Sequence, residues 1–176
     1  MSAQDGVSRL QDPAEPEAQE SFLTEDGCYV ALTHAPLNVQ SIMDRVRSPQ
    51  AGAIVLFAGT TRDSFADKSV SKLVYSAYVP RALRTMLDIA TEIRAKHNLK
   101  SIAMIHRLGE VPVGEESIMI AVSAPHRGPA WRAGEEALEA CKAKVEVWKW
   151  EEFAEEGGGG GAWRANRDGA VGERVA

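Results

Sequence analysis

His126 and Arg127 stand side by side where an apolar run ends and a helical pattern begins. The run covers 118–122, and the junction reads "SAPHRGPAW", residues 123–131. The start of a helix offers unpaired backbone N–H groups and the positive end of the helix dipole. Beside them, Arg127 could help to hold a phosphate, and His126 could exchange a proton near neutral pH. The structural alternative is that His126 caps the helix or satisfies a carbonyl while Arg127 pairs with a surface acid.

Arg62 is a further candidate for binding an anion, because it follows an apolar run directly. The run "AGAIVLFA", residues 51–58, is typical of a buried strand, and Gly-Thr-Thr at 59–61 turns the chain after it. Strand ends are common places for functional residues. The alternative is an ordinary solvated loop arginine, and the residue by itself does not decide between the two.

Two lysines lie in the stretch "CKAKVEVWKWEEF", residues 141–153. Lys142 cannot share a helix face with Lys144, because two residues turn a helix by about 200°. Lys149 alternates with tryptophans on a predicted strand and therefore faces away from them. If the tryptophans lie in the core, Lys149 is exposed; if they line the wall of a cleft, the lysine side is the buried one.

Other catalytic patterns are missing from the sequence. No pair of acids has the spacing of paired carboxylate catalysis, and the five glycines at 157–161 lack the Lys-Ser/Thr of a phosphate loop, so they read as a linker. Cys28 and Cys141 are far apart and form no metal-ligand spacing. His106-Arg107 has no helix after it, which favours a structural role. The sequence therefore predicts neither a metal nor a cofactor, and an acyl- or phosphoryl-transfer enzyme lacks its nucleophile and base.

The net charge of −5 is concentrated at the start of the chain. Five carboxylates and one arginine fall in the first twenty residues, a net of −4 there, so the rest is close to neutral. This distribution argues against binding to DNA or RNA. The chain has no signal peptide and no apolar run near twenty residues, which predicts no membrane span and a reducing, cytoplasmic location.

Composition divides the 176 residues into four parts. Residues 1–20 are acidic and poor in large apolar side chains, which predicts a disordered tail. A single folded domain is expected at 21–154, followed by a flexible glycine-rich loop at 155–162. The segment 163–176 is expected to be partly ordered at most.

Hydrophobic periodicity predicts an α+β fold with the element order β-α-β-β-α-β-β-α-β. Strands are predicted at 28–32, 51–58, 73–79, 100–109, 116–124 and 147–153. Helices are predicted at 39–47, 80–97 and 129–144, with Asn38 as the first N-cap and with Pro80 and Pro129 at the first helical positions. The third helix is expected to turn Trp131, Gly134, Ala137, Leu138 and Cys141 inward. Adjacent strand pairs favour α+β over a regularly alternating parallel sheet.

Taken together, these stretches resemble the large, catalytic subunit of molybdopterin synthase. The resemblance runs from about residue 28 to 167. It rests on the stretches "GAIVLFAGTTRD", "LVYSAYVPRAL", "IHRLGEVPVGEESIMIAVSAPHR", "CKAKVEVWKWEEF" and "WRANRD" in that order. The combination and its intervals are specific to this family.

The resemblance implies a sulfur transfer without a bound cofactor. The family's substrate is cyclic pyranopterin monophosphate, and its product is molybdopterin, whose dithiolene later binds molybdenum. The sulfur comes from the C-terminal Gly-Gly thiocarboxylate of a small ubiquitin-like partner subunit. The family's fold is α+β, with a mixed or antiparallel sheet and packed helices of the α/β hammerhead type. Two large subunits form a dimer, and a small subunit docks at each end to give a heterotetramer.

The resemblance also implies which residues do the work. By position, the family's substrate contacts and essential lysines fall on Arg62, His126, Arg127, Lys142, Lys149, Trp150 and Glu151, with Arg167 as a weaker candidate in the tail. The cations could neutralise a cyclic phosphate and a thiocarboxylate. Lys142 could act as an acid/base at the pterin carbon that receives sulfur, or it could position the thiocarboxylate.

Helix length adds a geometric expectation. If 129–144 is one unbroken helix, Lys142 lies about 13 residues, roughly 20 Å, past its start. Lys142 and His126 of one chain then cannot easily touch one substrate. We therefore expect a composite pocket with Lys142, Lys149 and Arg62 from one subunit and with His126 and Arg127 from the other.

Three positions depart from the family pattern. Glu146 stands where proline is usual, Ser76 where glutamate is usual, and Arg81 where methionine is usual. These departures could alter the pocket edge or the docking of the partner. The alternative function is a non-catalytic module that binds an anionic small molecule or a Gly-Gly protein tail.

Overall fold

In the computed structural model, the described residues are 20–65, 68–153 and 161–165. Their strands are β1 Ser21–Glu25, β2 Cys28–Thr33, β3 Ala53–Thr60, β4 Ser64–Phe65, β5 Lys68–Ala77, β6 Ser101–Arg107, β7 Gly109–Pro112, β8 Glu116–Ala124, β9 Val147–Phe153 and β10 Gly161–Ala165. Their helices are α1 Val39–Val46, α2 Val79–His97 and α3 Arg127–Lys144. Most of the predicted tail 1–20 and of the predicted loop 155–162 lies outside the described residues.

The larger sheet has the strand order β1-β2-β6-β8-β3. Among its described strands, β2 and β6 run parallel and the other neighbours pair antiparallel. A second sheet has the order β10-β9-β5-β4, with β7 also paired to β5. One mixed sheet and one antiparallel sheet with packed helices confirm the predicted α+β class.

Both faces of the larger sheet are covered. Ile102 and Met104 point to the side where α2 and α3 pack, whereas Ala103 and Ile105 point to the side of α1. This alternation is the period-two pattern of a strand buried on both faces. The second sheet joins this core through Tyr75, whose ring contacts His106 of β6 edge-on with 4.8 Å between centroids.

The first two helices begin as predicted. The Asn38 side chain accepts a hydrogen bond of 2.8 Å from the backbone N–H of Ser41, which confirms the N-cap. Pro80 lies in the first turn of α2, where a missing N–H removes no intrahelical bond. At the other end of α2, Asn98 takes the left-handed conformation with φ 51° and closes the helix. Among the described residues no helix is long and apolar enough to cross a membrane.

Two expectations about α3 are wrong. The helix begins at Arg127, two residues earlier than predicted, so Pro129 is its third residue and not its first. Trp131 does not face inward, because its side chain is 64% exposed. The inward stripe consists of small side chains, and a Cβ on Gly134 would lie 3.4 Å from Val55 Cγ1. A tryptophan would hold the helix away from the sheet, so close packing selects the small residues instead.

The expectation of a fully buried strand at 51–58 is also wrong. In the described part of the chain, β3 lies at the edge of its sheet, and Ala58 and Thr60 are exposed. The continuous apolar run therefore leaves a half-buried strand in the single chain. The strand 147–153 is not the last one, since β10 follows and pairs antiparallel with β9.

Candidate active site

Three of the predicted cations lie toward one end of the larger sheet. Arg62 follows β3 two residues after Thr60, which pairs with Glu116 at the start of β8. The helix α3 runs back over β8 and β3, since Gly134 packs on Val55 and Val122 near the far end of those strands. The last turn of α3, with Lys142, therefore returns toward the Arg62 end. Three residues after α3 the chain enters β9, which carries Lys149.

The backbone around Arg62 is held by hydrogen bonds to the neighbouring turn. Thr61 is buried and donates its N–H to the Glu115 carbonyl at 3.0 Å and its hydroxyl to the Val111 carbonyl at 3.3 Å. The Thr61 carbonyl accepts the N–H of Gly114 at 2.9 Å. The Arg62 side chain is exposed. The turn is thus fixed while the guanidinium stays accessible.

Lys149 lies on the inward face of β9. Its side chain is 17% exposed, and its Nζ lies 3.2 Å from Oε1 of Glu151, whose side chain is 2% exposed. The two residues are neighbours on one face because side chains alternate along a strand. Trp148, on the opposite face, is 37% exposed. The lysine side of β9 is therefore the more buried one, which contradicts an ordinary solvated lysine.

The buried Tyr75 of β5 lies beside this pair. Tyr75 is directly opposite Lys149 in the β5–β9 register and is buried. Burial raises the pKa of the Tyr75 hydroxyl; a hydrogen bond with Ser117 lowers it, and the charge of Glu151 raises it again. The hydroxyl is therefore protonated at neutral pH. The sequence placed Tyr75 on a strand but could not reveal this neighbourhood, because it depends on the cross-strand register.

His106 fills a structural position beneath Tyr75, as the sequence favoured. Burial lowers its pKa to about 4, although the hydrogen bond to the Arg107 carbonyl, 2.7 Å long, opposes this shift. Since a carbonyl only accepts, Nδ1 carries the proton of the neutral ring. Arg107 itself is bound to Glu115 at 2.5 Å and ties the end of β6 to the turn before β8.

His126 and Arg127 lie at the opposite end of α3. His126 is the N-cap residue and is exposed, and its ring makes no capping hydrogen bond in the described structure. The capping alternative for His126 is therefore wrong. Arg127 is the first helical residue and is also exposed. From Arg127 to Lys142 the unbroken helix spans fifteen residues, about 22 Å at about 1.5 Å per residue.

Lys142 is half-buried in the last turn of α3, beside Cys141. Burial raises the pKa of the Cys141 thiol to about 12, although the charge of Lys142 opposes this shift. The thiol is therefore protonated and unreactive at neutral pH. Cys28 is buried as well, and neither cysteine forms a disulfide.

Two candidate residues remain, Trp150 on β9 and Arg167 near the end of the chain. Trp150 is half-buried on β9, on the face opposite Lys149. Arg167 lies outside the described residues.

Within 20–65, 68–153 and 161–165, no group of three or more His, Cys, Asp or Glu side chains could hold a metal ion. A cavity of about 270 Å³ lies elsewhere, lined by Arg47, Ser48, Pro49, Ala51 and Ile54.

Comparison with known proteins gives a consistent result. The family model described as "MoaE protein" matches residues 32–144. The molybdopterin synthase catalytic subunit of Neurospora crassa is 64% identical over 171 residues, which cover 97% of this chain and 82% of that protein. The catalytic subunit of Sclerotinia sclerotiorum is 67% identical over 158 residues, which cover 90% and 80%.

A solved structure shares the fold. The crystal structure of molybdopterin synthase from Staphylococcus aureus superposes with a TM-score of 0.70 at 30% sequence identity. The superposition covers 76% of this chain and 94% of that chain.

Proposed function

The chain belongs to the MoaE protein family, and on that premise we propose that its cations carry out sulfur transfer as in a molybdopterin synthase catalytic subunit. The observation that carries the proposal is the inward-facing Lys149, held by the buried Glu151 toward the same end of the sheet as Lys142 and Arg62. An inward lysine with a fixed direction suits the binding of a reacting anion.

The two reactants are both anions. Cyclic pyranopterin monophosphate carries a phosphate, and the Gly-Gly tail of a small ubiquitin-like subunit ends in a thiocarboxylate. Arg62, Lys149 and Arg127 neutralise these groups, and arginine matches a phosphate with two parallel hydrogen bonds. The Gly-Gly tail has no side chains, so it can approach the cations more closely than a bulkier peptide end could.

The chemistry assigns a separate task to Lys142. A thiocarboxylate holds one sulfur, so a dithiolene requires two donor molecules. In each transfer a carbon–sulfur bond forms at a pterin side-chain carbon as a carbon–oxygen bond at that carbon breaks, and the oxygen leaves with the phosphate or as water. The donor's acyl–sulfur bond breaks by hydrolysis, which returns the Gly-Gly carboxylate. Lys142 either exchanges the proton at the pterin carbon or orients the thiocarboxylate. Glu151 keeps the ammonium of Lys149 directed into the site.

A second copy of the chain supplies His126 and Arg127. This proposal is supported by the 22 Å helical span between Arg127 and Lys142. The half-buried apolar strand β3 and the exposed Trp131 are surfaces that a second copy can cover. The whole assembly is then a dimer of large subunits with one small subunit at each end. We place it in the cytoplasm, where both buried thiols stay reduced.

The direct test mixes the protein with a thiocarboxylated small subunit and the cyclic pterin and measures dithiolene formation. We expect Lys142→Ala to lower turnover by at least about 10²-fold while the donor subunit still binds, because proton transfer or positioning is lost. Lys144→Ala is the matched control, since Lys144 is exposed and points to another side of the same helix. Turnover by Lys142→Ala at the control rate would exclude Lys142 from the reaction. A wild-type protein that binds the donor subunit but forms no dithiolene would favour the non-catalytic binding module instead.

A further inference from the structure

Two of the three departures from the family pattern contact each other. Arg81 Nε donates to Oε1 of Glu146 at 2.7 Å, and the hydroxyl of Thr85 donates to Oε2 at 2.9 Å. Arg81 and Thr85 are four residues apart and share one face of α2. Both carboxylate oxygens of Glu146 are therefore bound to the first turns of one helix, where the helix dipole also favours a negative charge.

Glu146 occupies the short connection between the two lysines of the site. Lys142 lies four residues before it on α3, and Lys149 lies three residues after it on β9. The connection is tight: the N–H of Val145 binds the Cys141 carbonyl at 3.0 Å, and the N–H of Val147 binds the Val145 carbonyl at 2.8 Å. Through Glu146, this connection is fastened to α2, a third element.

We propose that Glu146 is a positioning residue that sets the placement of Lys142 relative to Lys149 through its contacts with Arg81 and Thr85. The proposal rests on the proposed function, in which both lysines serve one reaction. A displacement of about 1 Å in such a pair can cost about 10²-fold in rate. A small rotation at the connection is enough, because it moves α3 and β9 in different directions.

The contact between Glu146 and Arg81 affects the placement of the two lysines more than the free energy of unfolding. The Arg81 side chain is 71% exposed, and exposed ion pairs contribute little to the free energy of unfolding. The Glu146 carboxylate is less accessible, with 22% of its side chain exposed. Burial raises its pKa, but the hydrogen bonds from Thr85 and Arg81 outweigh this effect and lower it. The group is therefore ionised at neutral pH, and both of its oxygens can accept.

The test measures single-turnover sulfur transfer and donor affinity in four variants. We expect Glu146→Ala and Arg81→Ala to lower the transfer rate about tenfold and to change donor affinity less than twofold, since only the lysine geometry is disturbed. Glu146→Gln should keep nearly the full rate, because its amide can accept from Arg81 and donate to Thr85. Arg84→Ala is the matched control: it removes the same charge from an exposed residue one turn further along α2.

Hydrogen exchange of the amides at 142–149 supplies a readout that needs no activity. It should accelerate in Glu146→Ala and Arg81→Ala and stay unchanged in Glu146→Gln and Arg84→Ala. Unchanged exchange, or rates in both disrupting variants equal to those of Arg84→Ala, overturns the positioning role. A wild-type protein that forms no dithiolene refutes the proposed function instead, and the exchange comparison then decides the positioning role alone.

Discussion

Glu151 shows at the scale of one residue how a lysine can be kept on the inner face of a strand. The carboxylate is almost fully buried and lies 3.2 Å from the Lys149 ammonium. Removing one member of a buried ion pair leaves the other charge uncompensated, which costs more than the pair contributes when intact. We therefore expect Glu151 to matter for the stability of the fold.

We expect Glu151→Gln to lower the free energy of unfolding by about 2 kcal/mol, because the buried carboxylate loses its charge and its ion pair with Lys149. Urea unfolding at neutral pH measures this loss. Glu152→Gln is the control, since the neighbouring carboxylate is 41% exposed and lies 3.7 Å from Lys72. Its cost should stay below about 0.5 kcal/mol. Equal costs for the two variants would mean that Lys149 and Glu151 are solvated.

The sequence supplied the candidate site residues but not which side of β9 faces inward. Tryptophans and charged residues alternate on that strand, and the larger apolar surface belongs to the tryptophans. Burial alone would turn the tryptophans inward, yet Lys149 and Glu151 occupy that face. The register opposite Tyr75 decides the outcome, and register is a property of the folded sheet.

Secondary-structure elements were predictable where local signals agreed. Helix α2 has a proline at its start and a long apolar stripe, and its bounds follow the prediction closely. The strands β1, β4, β7 and β10 were missed because they are short, with two to five residues each, and β7 also depends on a partner distant in sequence, β5. The inward face of α3 was misjudged because a tryptophan suggests core, whereas close packing demanded small residues.

Two glycines show whether the space for a side chain or the backbone conformation decides how alanine changes the stability. Gly134 is helical, and an added Cβ would meet Val55 at an ordinary contact distance of 3.4 Å. We expect Gly134→Ala to raise the free energy of unfolding by about 0.5–1 kcal/mol, because alanine is the better helix former. A Cβ on Gly114 would meet no neighbour, but its φ of +86° strains any other residue. Gly114→Ala should therefore lower the free energy of unfolding by about 1 kcal/mol. Denaturant midpoints test both signs, and a destabilising Gly134→Ala would show that α3 cannot accommodate a methyl group.

The contact between α2 and α3 should weaken in acid. Glu136 on α3 binds Lys96 at 2.6 Å and His97 at 2.7 Å on α2, and these hydrogen bonds hold its pKa below the ordinary 4.5. A lowered folded-state pKa contributes stability above the ordinary pKa and loses it as the pH falls through the folded value. The contribution is about 1 kcal/mol or less, since the carboxylate is 35% exposed.

The measurement for this contact compares wild type and Glu136→Gln at pH 7 and at pH 3. The difference in unfolding free energy should be present at pH 7 and should shrink as the pH falls through the lowered pKa of the wild-type carboxyl. Glu135→Gln, at an exposed position on the same helix, should show no such pH dependence. A difference that persists undiminished at pH 3 would assign the effect to packing and not to charge.

At the scale of the whole molecule, the candidate site falls into two groups that one chain does not bring together. His126 and Arg127 start α3, and Lys142 lies near its end, with about 22 Å of helix between them. This separation was predictable from the sequence, because it requires only the helix length. The surface that would join two copies was not predictable from the sequence. The strand β3, which was expected to be buried, is an accessible edge in the single chain.

Subunit mixing tests the shared site most directly. In an equal mixture of Lys142→Ala and His126→Ala proteins, random exchange makes half of the dimers mixed, and each mixed dimer has one intact site. We predict about a quarter of wild-type dithiolene formation from this mixture. As a control, wild type mixed equally with the double variant should also retain about a quarter, whereas self-contained sites would leave about a half. No recovery in the first mixture, with subunit exchange proven by native mass spectrometry, would contradict a site built from two chains.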